Sequence, residues 1–441
     1  MNKPRSVRLI SLIIILLSMV LCSDAQQSLS KYDRERGQEM LKMIRDDLKD
    51  KYFDPALRGM DLDARFNTAT EKIKTATSNG QMLGTIAQMM LDLGDSHTFF
   101  LPPEHSSKVE YGWRVQMFGE RPFVTAVRPK SDAEAKGLKV GDEVISIDGH
   151  TVDRDNLWIM KYFYYTLRPQ PGMKVTVKHP DGKQEDLVIV AKVTEGRMIT
   201  DLTGSDGGID LWNYIRQSEN EDFLARHRWA NAGSDVFIWK MPAFDLDKAD
   251  VDELVDRAAK YKALVIDLRR NGGGAVDTLN RLVGNLFDHD VKIAEWKGRK
   301  KFDPQIAKSR GKNFDGKVAV LIDSESASCS EVLARVLQLE KRGLVIGDRS
   351  SGKVMISRIY DHQLGIERVT FFASSVTEAD LLMTDGKSLE NVGVIPDKLI
   401  LPTAQELASG NDPALSVAVE LLGGHLSPAD AGKLFPLEWP K

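Results

Sequence analysis

The sequence predicts a multidomain α+β protein, with a helical N-terminal segment, a small β domain inserted after it, and a larger layered α/β domain in the second half. Three observations carry this. From residue 234 onward, short runs of β-branched and aliphatic residues alternate with amphipathic helical patterns. Residues 30–105 hold charged runs whose apolar residues recur every three or four positions. Between about 109 and 193 the pattern changes to short strands, with Asp148-Gly149 and Asp181-Gly182 as hairpin signals.

In the first segment, helices are expected over 32–52, 62–77 and 82–93, with breaks near Asp54-Pro55 and Gly59. It closes on GDSHTFF at 94–100. A histidine between a helix end and an apolar pair reads most simply as structural. In the β domain, strands are expected over 123–127 and 144–147. A polar connector at 196–232 follows, with a flexible turn at GSDGG, 204–208, and a helix over 212–228. The α/β domain then opens with a strand at 234–241, a helix at 251–261, a buried strand at 263–268 and a helix at 276–287. Asn271, Gly272, Gly273 and Gly274 stand between that strand and helix. Glycine there permits a loose turn, and equally lets a backbone N–H approach a substrate carbonyl.

Residues 318–353 are the most informative stretch. A buried strand at 318–322 breaks at Asp323 into small hydroxylated residues, a helix runs over 331–339, and a return strand at 343–347 leads to Lys353. Ser326, Ser328 and Ser330 fall in the strand-to-helix turn, where a serine can be held beside free N–H groups. The same residues fit a helix cap, Ser328 and Glu331 forming the S-x-x-E box. Lys353, 25 residues after Ser328, returns to the same sheet edge, where desolvation would lower its proton affinity and suit it to act as a base. The G-x-x-x-x-G-K at 347–353 also begins like a phosphate loop. Val354 stands where a magnesium-binding hydroxyl belongs, and 354–356 reads as strand, so nucleotide binding is disfavoured.

The runs SASCSE at 326–331, Gly352-Lys353, and DLRRNGGG at 267–274 resemble the carboxyl-terminal processing (tail-specific) serine proteases and their tricorn-type relatives, over most of the chain. The resemblance implies a ClpP/crotonase-like α/β catalytic domain at 233–405. Ser328 would be its nucleophile, Lys353 the base of the tail-specific branch, and the N–H groups of Cys329 and Gly273 the oxyanion hole. It also brings the D-x-H-T element near the active site. In the tricorn-type branch a Ser-His pair there, matched by Ser96 and His97, supplies the base, and Glu390 matches a glutamate of the catalytic set. Ser357 departs from the tail-specific pattern, which has a glutamine that orients the lysine. Lys353 and His97 are therefore both candidates, with the spacing and the Gly352-Lys353 turn favouring Lys353. Cys329 reads as a small buried residue and not as a nucleophile.

Residues 131–144, SDAEAKGLKVGDEV, resemble the helix–turn–strand of a PDZ domain, here bounded at 109–195. Such a domain pairs an extended peptide with an open strand edge and captures its carboxylate. Tyr111, Gly112 and Trp113, with Arg114, form the candidate peptide-binding loop. The other reading is a β domain that only spaces or covers the active site.

At the N-terminus, Lys3, Arg5 and Arg8 precede an apolar run at 9–21 and the small residues at 23–25. At about 13 residues the run is shorter than the about 20 needed to span a bilayer, so residues 1–25 read as a cleaved signal peptide. The mature chain, 26–441, would begin with a helical segment at 26–108 and finish with a C-terminal helix and tail at 406–441. Cleavage removes three positive charges and one negative, taking the net charge from −4 to −6. No basic excess remains for nucleic acid. It also removes Cys22 and leaves Cys329 unable to form an internal disulfide. None of the eight histidines forms H-E-x-x-H. The expectation is an exported serine endopeptidase acting on protein or peptide substrates, with no cofactor, no metal and no stable membrane anchor. An inactive peptide-binding scaffold is the alternative.

Overall fold

A computed structural model describes residues 29–103, 107–195, 226–365 and 369–439. The expected signal peptide, the connector's glycine turn and most of its helix lie outside those residues.

Three helices open the described chain: α1 (Lys31–Lys51), α2 (Leu62–Lys74) and α3 (Asn79–Leu91). Each begins where sequence chemistry allows, because Ser30, Asp61 and Ser78 accept a hydrogen bond from an otherwise unpartnered first-turn N–H. Their apolar faces pack together and onto Phe100, Phe372 and Val376. The helical segment was expected to continue to 108. Instead β1 (Phe99–Leu101) leaves it as a strand, and β2 (Ser107–Glu110) follows.

The β domain contains β3 (Trp113–Phe118), β4 (Arg121–Val127), α4 (Asp132–Ala135), β5 (Glu143–Ile147), β6 (His150–Thr151), α5 (Leu157–Tyr162), β7 (Gly172–Lys178), β8 (Gln184–Val190) and β9 (Lys192–Glu195). Its sheet runs β3-β4-β5-β7-β8, with β6 on β5 and β2 paired with β9. Both Asp-Gly dipeptides make the expected hairpins, joining β5 to β6 and β7 to β8. Helix α5 and the π turn Phe163–Leu167 that extends it were not read from sequence.

Next come β10 (Arg228–Ala232), β11 (Val236–Lys240), α6 (Lys248–Ala258), β12 (Ala263–Asp267), α7 (Val276–Leu286), β13 (Val291–Gly298), β14 (Gln305–Ala307), β15 (Lys317–Ile322), α8 (Cys329–Leu339), β16 (Leu344–Gly347), β17 (Ile356–Leu364), β18 (Thr370–Met383) and β19 (Lys398–Leu399). The chain finishes in α9 (Ala404–Ala408), α10 (Pro413–Leu421) and α11 (Pro428–Leu434). The main sheet is β10-β11-β12-β15-β16-β19, parallel from β11 onward. Alternation along a strand sends side chains to opposite faces. Phe237 and Trp239 of β11 join α6, α7 and α8 on one side, whereas Val236 and Ile238 join α10 and α11 on the other. The result is a three-layer α/β/α domain. Residues 228–232, expected in the connector, form the antiparallel edge strand β10.

A second sheet, β1-β18-β13-β14 with β17 on β18, lies beside the first. Through β1 it holds the segment that carries His97, because Phe99–Leu101 pairs with Ala373, Ser374 and Ser375. Among the described residues, no helix is long and apolar enough to cross a membrane.

Candidate active site

The turn between β15 and α8 separates its three serines by role. Ser326 and Ser330 are fully buried, and their hydroxyls donate to Leu268 O at 2.8 Å and Asn271 O at 2.9 Å. They fasten the turn to the neighbouring β12–α7 turn. Ser328 is half-buried at the helix N-terminus, with φ 55° and ψ −121°. A residue other than glycine held there stores about 1–3 kcal/mol of strain, which the surrounding contacts must hold in place.

Those contacts are specific. Ser328 N–H donates to Lys353 O at 2.8 Å and lies 3.1 Å from Glu331 Oε2. Glu331 does more than close the expected capping box. Its fully buried carboxylate also accepts from Ser350 Oγ at 2.6 Å, Gly352 N at 2.7 Å and Lys353 N at 2.9 Å. One side chain therefore ties the serine turn to the 350–353 loop. Burial pushes its carboxyl up to about 7, against the pull of these hydrogen bonds.

The glycine turn meets the serine at van der Waals distance. A Cβ on Gly273 (φ +103°) would lie 2.6 Å from Ser328 Cβ, and one on Gly274 (φ +141°) 2.4 Å from Phe244 O. Gly273 N–H was expected to be free for an oxyanion. Here it donates to Asn271 Oδ1 at 2.8 Å, because the asparagine side chain folds back over its own turn. Cys329 N–H, at the first position of α8, has no intrahelical acceptor. The Cys329 thiol is buried against Gly274 O at 3.3 Å, and burial pushes it up to about 11.

Two candidate bases surround this turn. Ser96 N donates to Glu390 Oε1 at 2.7 Å, Ser96 Oγ donates to Glu390 Oε2 at 2.9 Å, and Ser96 Oγ lies 2.7 Å from His97 Nδ1. A hydroxyl has one proton. If Ser96 gives it to the glutamate, His97 Nδ1 must donate to Ser96, which leaves the lone pair on Nε2. Asp95 Oδ1 fixes the backbone beneath, accepting from His97 N at 3.0 Å, Thr98 N at 2.7 Å and Thr377 Oγ1 at 2.8 Å. Burial lowers the His97 pKa, and the Lys353 charge lowers it further, against Asp95.

Lys353 has different support. Its ammonium lies 4.7 Å from the Trp158 ring centroid, a contact that favours the charged form. Burial lowers its pKa, and Glu331 and Glu390 oppose that. Ser357, in place of the expected glutamine, hydrogen-bonds Ser375 Oγ at 3.0 Å, which gives its own proton to His97 O at 2.6 Å. Val354 and Met355 continue in extended chain into β17 and not into a helix, so the phosphate-loop reading ends here.

A cleft of about 630 Å³ runs past Ser96, Gly272, Ala327 and Lys353, and Trp158 and Lys161 of α5 close it from the β domain. That domain is bonded to both loops of the site. Gln116 Nε2 donates to Asp323 Oδ2 at 2.6 Å, Lys161 pairs with Glu325 at 2.6 Å, and Arg154 pairs with Asp348 at 2.5 Å. None of these contacts was read from sequence, since each joins residues more than 160 positions apart. Tyr111, Gly112 and Trp113 line a separate groove beside β3. Only Tyr111 and Gly112 belong to a loop. Trp113 and Arg114 begin β3 itself.

A half-buried serine on a strand-to-helix turn, in a layered α/β domain docked to a small β domain, is the arrangement of a serine peptidase. Residues 236–400 match the model of Peptidase family S41 and residues 109–190 that of a PDZ domain. The family resemblance read from the sequence is therefore matched by both domain models and by relatives named as tail-specific and carboxy-terminal-processing proteases. It is 26% identical over 384 residues to the carboxy-terminal-processing protease of Bartonella bacilliformis, covering 82% of this chain and 80% of that protein. With the tail-specific protease of Haemophilus influenzae it shares 24% over 356 residues, covering 76% of this chain and 48% of the other, so it spans about half the length of that relative. In fold it is similar to mature CPAF complexed with lactacystin (TM-score 0.63, 15% identity, 85% of this chain and 95% of that one). It is also similar to the photosystem II D1 C-terminal processing protease (TM-score 0.53, 19% identity, 90% and 99%).

Proposed function

We propose that this chain is an exported endopeptidase that hydrolyses peptide bonds through an acyl-enzyme at Ser328, with His97 as general base. The observation that carries the choice of base is the hydrogen-bonded sequence Glu390–Ser96–His97. It orients the imidazole, stabilises the imidazolium that forms when the serine proton arrives, and directs Nε2 to act as acceptor. Ser328 Oγ attacks the substrate carbonyl while its proton passes to His97, and the oxyanion takes the N–H of Cys329. His97 then protonates the leaving amine, and water repeats the sequence to release the acid. Gly273 has a steric role, giving Ser328 room. Lys353 is the alternative base. In the histidine reading it is a cation that keeps His97 neutral. The 1–25 segment supports export, and N-terminal sequencing of the secreted or periplasmic fraction should find Gln26.

The test of the nucleophile is Ser328→Ala. Casein turnover and labelling by a fluorophosphonate should both disappear, a loss on the order of 10⁴-fold or more. The circular dichroism spectrum should be unchanged. Residual labelling of the alanine enzyme would remove Ser328 from the mechanism. Inert but folded wild-type enzyme, with a peptide-binding groove, would favour the scaffold reading instead.

A further inference from the structure

The PDZ groove has part of its own chain at its mouth. The groove is a cavity of about 630 Å³ between β3 and α5 with its π turn, walled by Trp113, Met160 and Tyr165. Strand β3 is the edge of its sheet, so its outer side is where an extended peptide would add. Trp439 forms part of the groove wall, and its ring lies 5.2 Å from the Arg114 guanidinium of β3.

The residues before Trp439 are held by the catalytic domain. Arg228 of β10 donates to Pro436 O at 3.0 Å and lies 5.6 Å over the Phe435 ring. Glu438 pairs with Arg226 at 3.2 Å and with Arg228 at 3.9 Å. Helix α11, which precedes them, packs on the main sheet. Residues 436–439 therefore cross from one domain to the other and place an aromatic side chain where a peptide would enter.

We propose that residues 436–439 are a tethered occupant of the PDZ groove, which a substrate peptide must displace before it can dock. This rests on reading the groove as a peptide site. The tail's direct contacts are individually weak, since a partly exposed arginine–tryptophan contact contributes about 0.5–1 kcal/mol and half-exposed ion pairs about as little. Tethering compensates, because a segment anchored at Arg228 acts at an effective concentration in the millimolar range. Such an occupant discriminates by affinity. Weak, adventitious peptides fail to displace it, whereas an extended segment with its own aromatic residue for Arg114 competes.

The experiment uses Ser328→Ala protein, so that nothing is cleaved, and a fluorescein-labelled peptide of sequence FPLEWPK, that of residues 435–441. Anisotropy would measure its binding to the full chain, to a variant ending at Phe435, and to full-length Trp439→Ala. Both variants should bind at least about fivefold more tightly than the full chain, the release expected when a tethered competitor is lost. Equal affinity for all three would overturn the proposal and leave the groove a peptide site. If none binds, or if Met160→Glu in the shortened chain leaves binding intact, the groove reading falls too.

Discussion

Lys353, whose carbonyl accepts from Ser328 N–H, and His97, joined through Ser96 and Glu390 to Val354 N, differ in what holds their side chains. The imidazole hydrogen-bonds to a hydroxyl that is itself bonded to a carboxylate, so its orientation and tautomer follow from its partners. The ammonium lies on the face of an indole, which attracts a cation and offers nothing to a neutral amine. Both pKa values are lowered by burial, so the direction of the shift does not separate the candidates. The proposal of His97 rests on the hydrogen bonds instead, because a base must be aimed as well as deprotonated.

The largest effect that would break this comparison is loss of the base. His97→Ala should lower kcat on casein by about 10²–10⁴-fold, the range for a positioned general base. Lys353→Met should cost about tenfold or less, equal to about one pKa unit of electrostatic help. Reversal of that order would restore the lysine model.

The pH profile sharpens the same contrast. A base works in its deprotonated form, so activity rises as pH passes upward through its pKa. For His97, lowered from its ordinary value by burial, the rise in kcat/KM should have its midpoint below that of an ordinary histidine. Lys353→Met removes a cation that lowers the histidine, and should move the midpoint upward. A wild-type limb that keeps climbing above about pH 8 would instead report the amine.

The smallest expected effect concerns Cys329. With its thiol pushed to about 11 and its proposed contribution made through the backbone, Cys329→Ala should stay within about twofold of wild type in turnover and be insensitive to thiol reagents. Inactivation of the native enzyme by iodoacetamide would contradict this.

What could be read from sequence followed the range of the forces involved. Strand β15, helix α8 and strand β16 were legible because a buried parallel strand is a continuous apolar run and a helix repeats its apolar face locally. Strand β10 was not. As an edge strand, RWANA, it buries only Ala232 fully and carries charge and polarity that read as connector. Helix α5 was hidden because LWIMKY runs directly into FYYTL, whose aromatics suit a strand equally well. Within the site, Ser328 was marked by its turn. The resemblance named Ser96, His97 and Glu390 beside Lys353 as candidates, but not their hydrogen bonds, because these join residues 294 positions apart. Gly273 was assigned an N–H role on position, and a side chain two residues away takes that proton donor.

The hydrogen bond from Ser96 to Glu390 joins residues 294 positions apart, whereas the serine turn is fastened to the β12–α7 turn by bonds spanning 53 to 59. Closing the longer loop costs about 1.4 kcal/mol more chain entropy than closing the shorter ones, before any contact is gained. Folding should therefore assemble the nucleophile early and deliver its base late. A chain still emerging or refolding would carry a serine with no partner to activate it, and so would leave its own unfolded copies uncut. In stopped-flow refolding, fluorophosphonate reactivity should lag behind the return of helical signal; simultaneous recovery would show that the whole site closes in one step.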